Sequence, residues 1–171
     1  ISDFVKGKSQ FDLPPRIQKG IRLHRAIDTF TDNAEATAFI KNMFHPRYRL
    51  YAGALTDVAY DHFLANDRGI FQEEFAIDIL ARNIYADLDL HENVLPPSFL
   101  PVWEGMKKNN RLVNYRHEWA IERSFRGLAM RSPGIGETDT AFSIFMERKE
   151  EIRQAYRSEE HTSELQSPYV I

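Results

Sequence analysis

Gly20-Ile-Arg-Leu-His-Arg-Ala-Ile-Asp-Thr-Phe-Thr-Asp32 and, downstream, Leu55-Thr-Asp-Val-Ala-Tyr-Asp-His-Phe63 carry ionisable groups four residues apart within helical periodicity. His24 pairs with Asp28 and Asp57 with Asp61, and side chains at i and i+4 stand one above the other on a helix face. Ile17 and Ile21 extend the His24/Asp28 stripe, and Leu50, Ala54 and Leu64 extend that of Asp57 and Asp61. A carboxylate on a core-facing stripe is costly unless it is paired or binds a metal. Like charges at i,i+4 repel, and a divalent cation removes that penalty. Two such stripes predict a buried site of His and Asp ligands. Oxygen donors with imidazole suit Mn²⁺, Mg²⁺ or Fe²⁺, and Zn²⁺ is compatible.

Working outward, helical periodicity continues. Pro14 and Pro15 suit a helix start, and that helix is expected to reach about Phe30, with Leu23, Ile27 and Phe30 as a second apolar strip. Asp32-Asn-Ala-Glu35 reads as a cap for a helix ending near Phe44, broken by His45-Pro46. Further helices are expected at about Tyr48 to Asn66 and at Gln72 to Leu90, the latter with Phe75, Ile79, Ile84 and Leu88 toward the core. A short helix around Val102 to Lys107 precedes helices from Arg111 to Met130 and from Thr138 to Tyr156, with Ser132-Pro-Gly-Ile-Gly136 as a breaker between them. No alternating strand pattern, glycine-rich phosphate loop or G-x-S-x-G elbow is visible. The expected architecture is an all-α, single-domain helical bundle.

The chain has 171 residues, enough for one domain with a substantial core. Cysteine is absent, which removes disulfides, thiolate metal sites and cysteine nucleophiles together. Its absence fits a reducing, cytoplasmic compartment. No apolar run approaches the roughly 20 residues that span a bilayer. Arg157-Ser-Glu-Glu-His-Thr-Ser-Glu-Leu-Gln-Ser167 resembles the conceptual translation of a sequencing-library adapter. Residues 157–171 are therefore expected to be read-through outside the folded domain 1–156. The formal net charge is −3, and Arg157 against Glu159, Glu160 and Glu164 takes most of it, so the body is near neutral. A near-neutral body without interleaved aromatic and basic residues argues against nucleic acid as partner. Lys6, Lys8, Arg16, Lys19, Arg22 and Arg25 nevertheless gather early, with Arg47 and Arg49 after them, as a face for an anionic partner. Arg25, next to His24, could contact a phosphate. His62 lies about 100° around the helix from Asp61. It reads as a ligand aimed at a neighbouring helix, a support for the ligands, or a core histidine. Asp32 reads as an N-cap.

Asp3-Phe-Val-Lys-Gly7, Gly20-Ile-x-x-His24-Arg25-x-Ile-Asp28-x-x-Thr31-Asp32 and Asp57-x-x-x-Asp61-His62-Phe-Leu64 together resemble the acyl-carrier-protein phosphodiesterases. Leu112-Val-x-Tyr115-Arg116 and Gly127-Leu-Ala-Met-Arg131-x-Pro133 are similar to later motifs of the same family. The resemblance implies an all-helical fold diverged from the HD phosphohydrolases. It also implies hydrolysis of the phosphodiester joining 4′-phosphopantetheine to a serine of acyl carrier protein, with a divalent metal, typically Mn²⁺. Asp3, His24, Asp28, Asp57 and Asp61 are the implied metal candidates. Arg25 or Lys6 would neutralise the phosphate, and His62 would protonate the leaving serine oxygen. Family members begin about twenty residues earlier, so one helix and one polar residue of the family pattern are expected to be missing. Two alternatives stand beside this: an HD-type nucleotide or small-phosphoester hydrolase, weakened by the reversed order Asp61-His62, and a non-catalytic helical module that binds carrier protein.

Overall fold

The computed structural model describes the backbone of residues 2–166 and, within it, the side chains of all but residues 3 and 159–166. The all-α expectation holds: the described residues form nine α-helices and five short 3-10 helices, with no strand. They fall into two compact units, residues 2–30 with 71–114 and residues 31–70 with 115–166. No helix among the described residues is long and apolar enough to cross a membrane.

In the first unit, α1 (Pro15–Asp32) begins as the proline pair predicts. Its one buried residue is Ile21, while Leu23 and Ile27 stand 54% and 55% exposed, so the second apolar strip is not a core strip. α4 is shorter than expected, Ala76–Leu90. It buries Ile77 and Ala81, with Ile84, Tyr85 and Leu88 half-buried, whereas Phe75 and Ile79 are exposed. Ile77, Ala81, Ile84 and Leu88 follow the 3.6-residue period; Phe75 lies outside the helix as its N-cap. α5 (Leu100–Lys108) and α6 (Arg111–Asn114) complete the unit. Its core is Leu95, Phe99 and Trp103, with Phe4, Tyr85 and Leu88 packed against it. Trp103 is fully buried and stacks on Phe99, and its Nε1 donates to Asp89 Oδ1 at 3.3 Å. That bond removes the penalty of burying an indole N–H.

In the second unit, α2 (Glu35–Tyr48) runs through Pro46 rather than stopping before it. A proline in the last turn costs one intrahelical hydrogen bond yet leaves the turn intact. Arg49, with φ +42°, then reverses the chain into a 3-10 turn and α3 (Ala52–Ala65). The single helix expected from Arg111 to Met130 is interrupted: α6 ends at Asn114, and α7 covers Glu118–Arg131. The final expected helix divides at Arg148 into α8 (Asp139–Glu147) and α9 (Lys149–Gln166). α9 continues without interruption to Gln166, beyond the expected domain end at Tyr156; residues 167–171 of the expected read-through lie outside the described residues. α2 packs on α3 and α9, and α3 on α7. Ile40 and Phe44, Leu55 and Ala59, Ile121 and Phe125, and Ala141 and Phe145 are i,i+4 pairs, each with one face fully or almost fully excluded from solvent. Burying each aromatic of this set stabilises the fold by about 2–3 kcal/mol relative to exposure. Phe125 meets Phe145 edge to face, with centroids 6.4 Å apart.

Candidate functional site

The second unit holds an open cleft of ≈ 950 Å³ where the C-terminal end of α3, the loop after it, the turn before α7 and the first turns of α9 converge. That size falls within the range of small-molecule sites, roughly 300–1,000 Å³. α3 supplies His62, Phe63 and, just beyond its end, Asn66. Asp67 Oδ1 accepts the Gly69 N–H at 2.7 Å. This local Asp turn fixes the loop that carries Arg68. The turn before α7 brings Arg116 and His117, and α7 begins with Glu118 and Trp119.

His62 is 4% exposed, and its Nδ1 donates to the Tyr115 carbonyl at 2.8 Å. That bond fixes the ring and leaves Nε2 as the nitrogen for the cleft. Phe63 and Phe145 meet the imidazole edge to face at 5.3 and 5.4 Å. Burial among these groups pushes the His62 pKa below its ordinary value of 6.5. The Lys149 and His117 charges push the same way, against the Tyr115 carbonyl and Glu118. Asn66 Nδ2 donates to the His62 carbonyl at 2.8 Å and to the Arg116 carbonyl at 3.1 Å, tying α3 to the turn before α7. Tyr156 reaches Asp67 at 3.2 Å, and Lys149 pairs with Glu118 at 2.6 Å. The Lys149 ammonium holds the Glu118 carboxyl below the usual carboxylate range. Arg68, Arg116, Lys149, Arg153 and Arg157 line the cleft with Asp67 and Glu118; Lys149 is paired to Glu118, and Arg153 to Glu150. The surplus of positive charge draws anions, and phosphate esters are the anions that arginine forks fit best.

The residues singled out from sequence are distributed differently from expectation. His24 Nδ1 and Asp28 Oδ2 do pair, at 2.7 Å, but half exposed in the first unit rather than on a buried stripe. Arg25 is turned to structural use: it donates to Gln10 Oε1 and the Val5 carbonyl, both at 2.8 Å, and anchors the N-terminal turns. Lys6 is exposed. Asp57 and Asp61 lie in the second unit; Asp57 is exposed and Asp61 half-buried. Their stripe is not the core face of the helix. Leu55, Ala59 and Phe63 form the core face of α3. Asp57 and Asp61 each lie two residues from Ala59, about 200° around the helix. Leu50 and Leu64, which share their stripe, are 95% and 41% exposed. Asp32 takes Lys41 at 2.6 Å instead of capping α2, whose N-cap is Ala34. The Asp3 side chain lies outside the described residues. Among the described residues, no three His, Asp or Glu side chains gather as a set that could hold a metal ion.

Asn66, Arg68, Trp119 and Lys149 were not singled out from sequence. One signal for them was present. Leu112-Val-x-Tyr115-Arg116 was matched as a motif, and its last two residues supply the carbonyls that fix His62 and Asn66.

Residues 1–160 match the family model described as acyl carrier protein phosphodiesterase. The acyl carrier protein phosphodiesterase of Klebsiella pneumoniae subsp. pneumoniae is 32% identical over 137 residues, covering 79% of this chain and 70% of that protein. Those of Enterobacter sp. strain 638 and Escherichia coli O139:H28 are each 30% identical, over 135 and 141 residues, with the same coverage. No solved structure matches the chain.

Proposed function

The chain belongs to the acyl carrier protein phosphodiesterase family, and from that membership we propose that it hydrolyses the phosphodiester between 4′-phosphopantetheine and a serine of acyl carrier protein, giving apo-carrier protein. The observation that carries this reading is the family match over residues 1–160, joined at one point to chemistry. Two motifs of the resemblance, Asp61-His62-Phe-Leu64 and Tyr115-Arg116, meet in the bond between His62 and Tyr115, at a cleft with surplus positive charge.

The reading gives the cleft's residues definite parts. Arg68 and Arg116 offset charge developing on the non-bridging phosphate oxygens. Buried and held neutral, the His62 imidazole accepts a proton at Nε2 from the attacking water. The bond from phosphorus to the serine oxygen breaks, and that oxygen takes a proton from solvent. This differs from the acid role expected for His62, because a pKa lowered by burial leaves little imidazolium to donate. A carrier protein is acidic, and Lys6, Lys8, Arg16, Lys19 and Arg22 are exposed on the first unit as a docking face for it.

A divalent ion, with Mn²⁺ first, remains part of the proposal through the resemblance; bound, it would lower the pKa of a coordinated water and neutralise phosphate charge. His24, Asp28, Asp57, Asp61 and Asp3 are its candidate donors. The described residues do not assemble three of them, so no step is routed through the ion. The test is intact-mass measurement of holo-carrier protein incubated with the chain, in Mn²⁺, in Mg²⁺ and in chelator. Loss of the phosphopantetheine mass in any arm supports the reading. A holo-carrier protein that survives every arm overturns it.

A further inference from the structure

α4 is apolar on two opposite sides. One is the core face of Ile77, Ala81, Ile84 and Leu88. The other, about 180° around the helix, is the row Phe75, Ile79, Ala86 and Leu90. Phe75 is 62%, Ile79 54% and Leu90 78% exposed. Phe75 stands just before the helix, yet its carbonyl accepts the Ile79 amide at 2.9 Å, so it belongs to the same row. A helix apolar on opposite sides is built to be covered on both.

The spacing of the row points to what covers it. Phe75, Ile79, Arg82 and Ala86 follow one another by four, three and four residues, and so do Ile79, Asn83, Ala86 and Leu90. That is the seam of two helices packed side by side. The row is also palindromic about the point between residues 82 and 83, where Phe75 mirrors Leu90, Ile79 mirrors Ala86 and Arg82 mirrors Asn83. A patch that complements itself is what a two-fold interface requires. We propose that the chain forms a homodimer through antiparallel pairing of α4, with the two-fold axis between Arg82 and Asn83. Phe75 then meets Leu90 of the partner subunit, and Ile79 meets Ala86 of the partner subunit. A second copy fits better than an acidic protein or an anionic lipid surface, because Arg82 is the one cation of the row. At this exposure each large side chain presents roughly 100 Å². With Arg82, Asn83 and Ala86 between them, the pair buries roughly 1,000 Å² in total, the lower bound of a specific interface. The dimer is therefore weak and forms with rising concentration. The two Arg82 side chains flank the axis with their stems on the apolar row and their heads in water. Salt screens their repulsion and should tighten the dimer. Hydrolysis of a carrier protein does not require this interface.

The experiment is sedimentation velocity of the full chain from about 1 μM to about 500 μM, joined to cross-linking of single-cysteine variants under mild oxidation. The chain has no cysteine of its own, so each variant reads one position. Beside the axis, residue 83 faces its counterpart within the Cα separation of a disulfide, roughly 4.4–6.8 Å. Residue 79 lies about 10 Å along the helices from its counterpart. The parent should pass reversibly from monomer to dimer. Asn83→Cys should give a disulfide-linked dimer. Ile79→Cys and Ala86→Cys should each stay unlinked alone and link to each other when mixed. Ile79→Glu should lose the dimer at every concentration while keeping the parent's helical circular dichroism. A parent that sediments as a monomer throughout overturns the proposal and leaves the row to some other partner. Self-linking of Ile79→Cys as readily as Asn83→Cys also overturns it, since that marks parallel pairing or non-specific association.

Discussion

His62 donates through Nδ1 to the carbonyl of Tyr115, at 2.8 Å, across 53 positions of sequence. The bond exists because the chain is not helical at Tyr115–His117. A helical Tyr115 would spend its carbonyl on the amide four residues on. The break between α6 and α7 frees it for the imidazole. A local interruption of a helix thus sets the tautomer of a buried histidine on a separate element.

The first prediction concerns pH. The native His62 pKa lies below 6.5 because burial disfavours the imidazolium. Between that native value and the ordinary one, the unfolded chain binds a proton that native His62 refuses. Stability is therefore retained above the ordinary value and lost as pH falls toward the native value. His62→Gln should flatten this dependence in thermal melts from about pH 7.5 to about pH 5.5. Turnover should rise with pH through the native value and then level off. His62→Gln should lower turnover by about 10²–10⁴-fold, the usual worth of a proton-transfer group. A variant with parental turnover and parental pH slope removes His62 from the chemistry.

Asn66 should prove a keystone. Its Nδ2 donates to both the His62 and the Arg116 carbonyls. Asn66→Ala leaves two carbonyls to water and should cost about 1–2 kcal/mol in urea unfolding. Turnover should fall further than that loss explains at full folding, since Arg116 and His62 lose their common tie. Backbone amide shifts at residues 62 and 116 would report the same slackening.

Much of the fold was legible because periodicity encodes it. Pro14-Pro15 marked the start of α1, and Ser132-Pro-Gly-Ile-Gly136 ends in Gly136 at φ +74°, as a breaker should. Helix faces were less legible where two apolar stripes compete. On α3 and the turn before it, Leu50, Ala54 and Leu64 offer one face and Leu55, Ala59 and Phe63 another; packing buries the second and turns Asp57 outward. The break at Tyr115–His117 has no proline or glycine to announce it, so one helix was expected where two stand. The cleft was hidden for the same reason: its lining comes from three separate segments, and no local spacing joins Arg68 to Trp119 or Lys149.

His24 and Asp28 should matter little to folding. The pair is 47% and 50% exposed, and exposed i,i+4 pairs contribute about 0.2–0.5 kcal/mol. His24→Gln and Asp28→Asn should each unfold in urea within about 0.5 kcal/mol of the parent. Any loss of turnover in these folded variants then reads their chemistry directly. An unfolding cost above about 1.5 kcal/mol would show that the pair holds structure instead.

Arg49 offers the opposite kind of substitution, one that should stabilise. Its backbone sits at φ +42°, ψ −113°, where an L side chain is strained and glycine is not. The chain needs that geometry, because the residue turns α2 into the 3-10 turn before α3. Glycine widens the unfolded ensemble, which opposes the gain, but at a positive φ the relief of native strain is the larger effect. Arg49 is exposed, so little packing is lost with its side chain. Arg49→Gly should raise stability by about 0.5–1 kcal/mol in urea unfolding, with an unchanged denaturant slope. Arg49→Ala keeps a Cβ at the same φ and should not be stabilising. A glycine variant no more stable than the alanine one would mean that the reversal is unstrained and that side-chain loss alone sets the outcome.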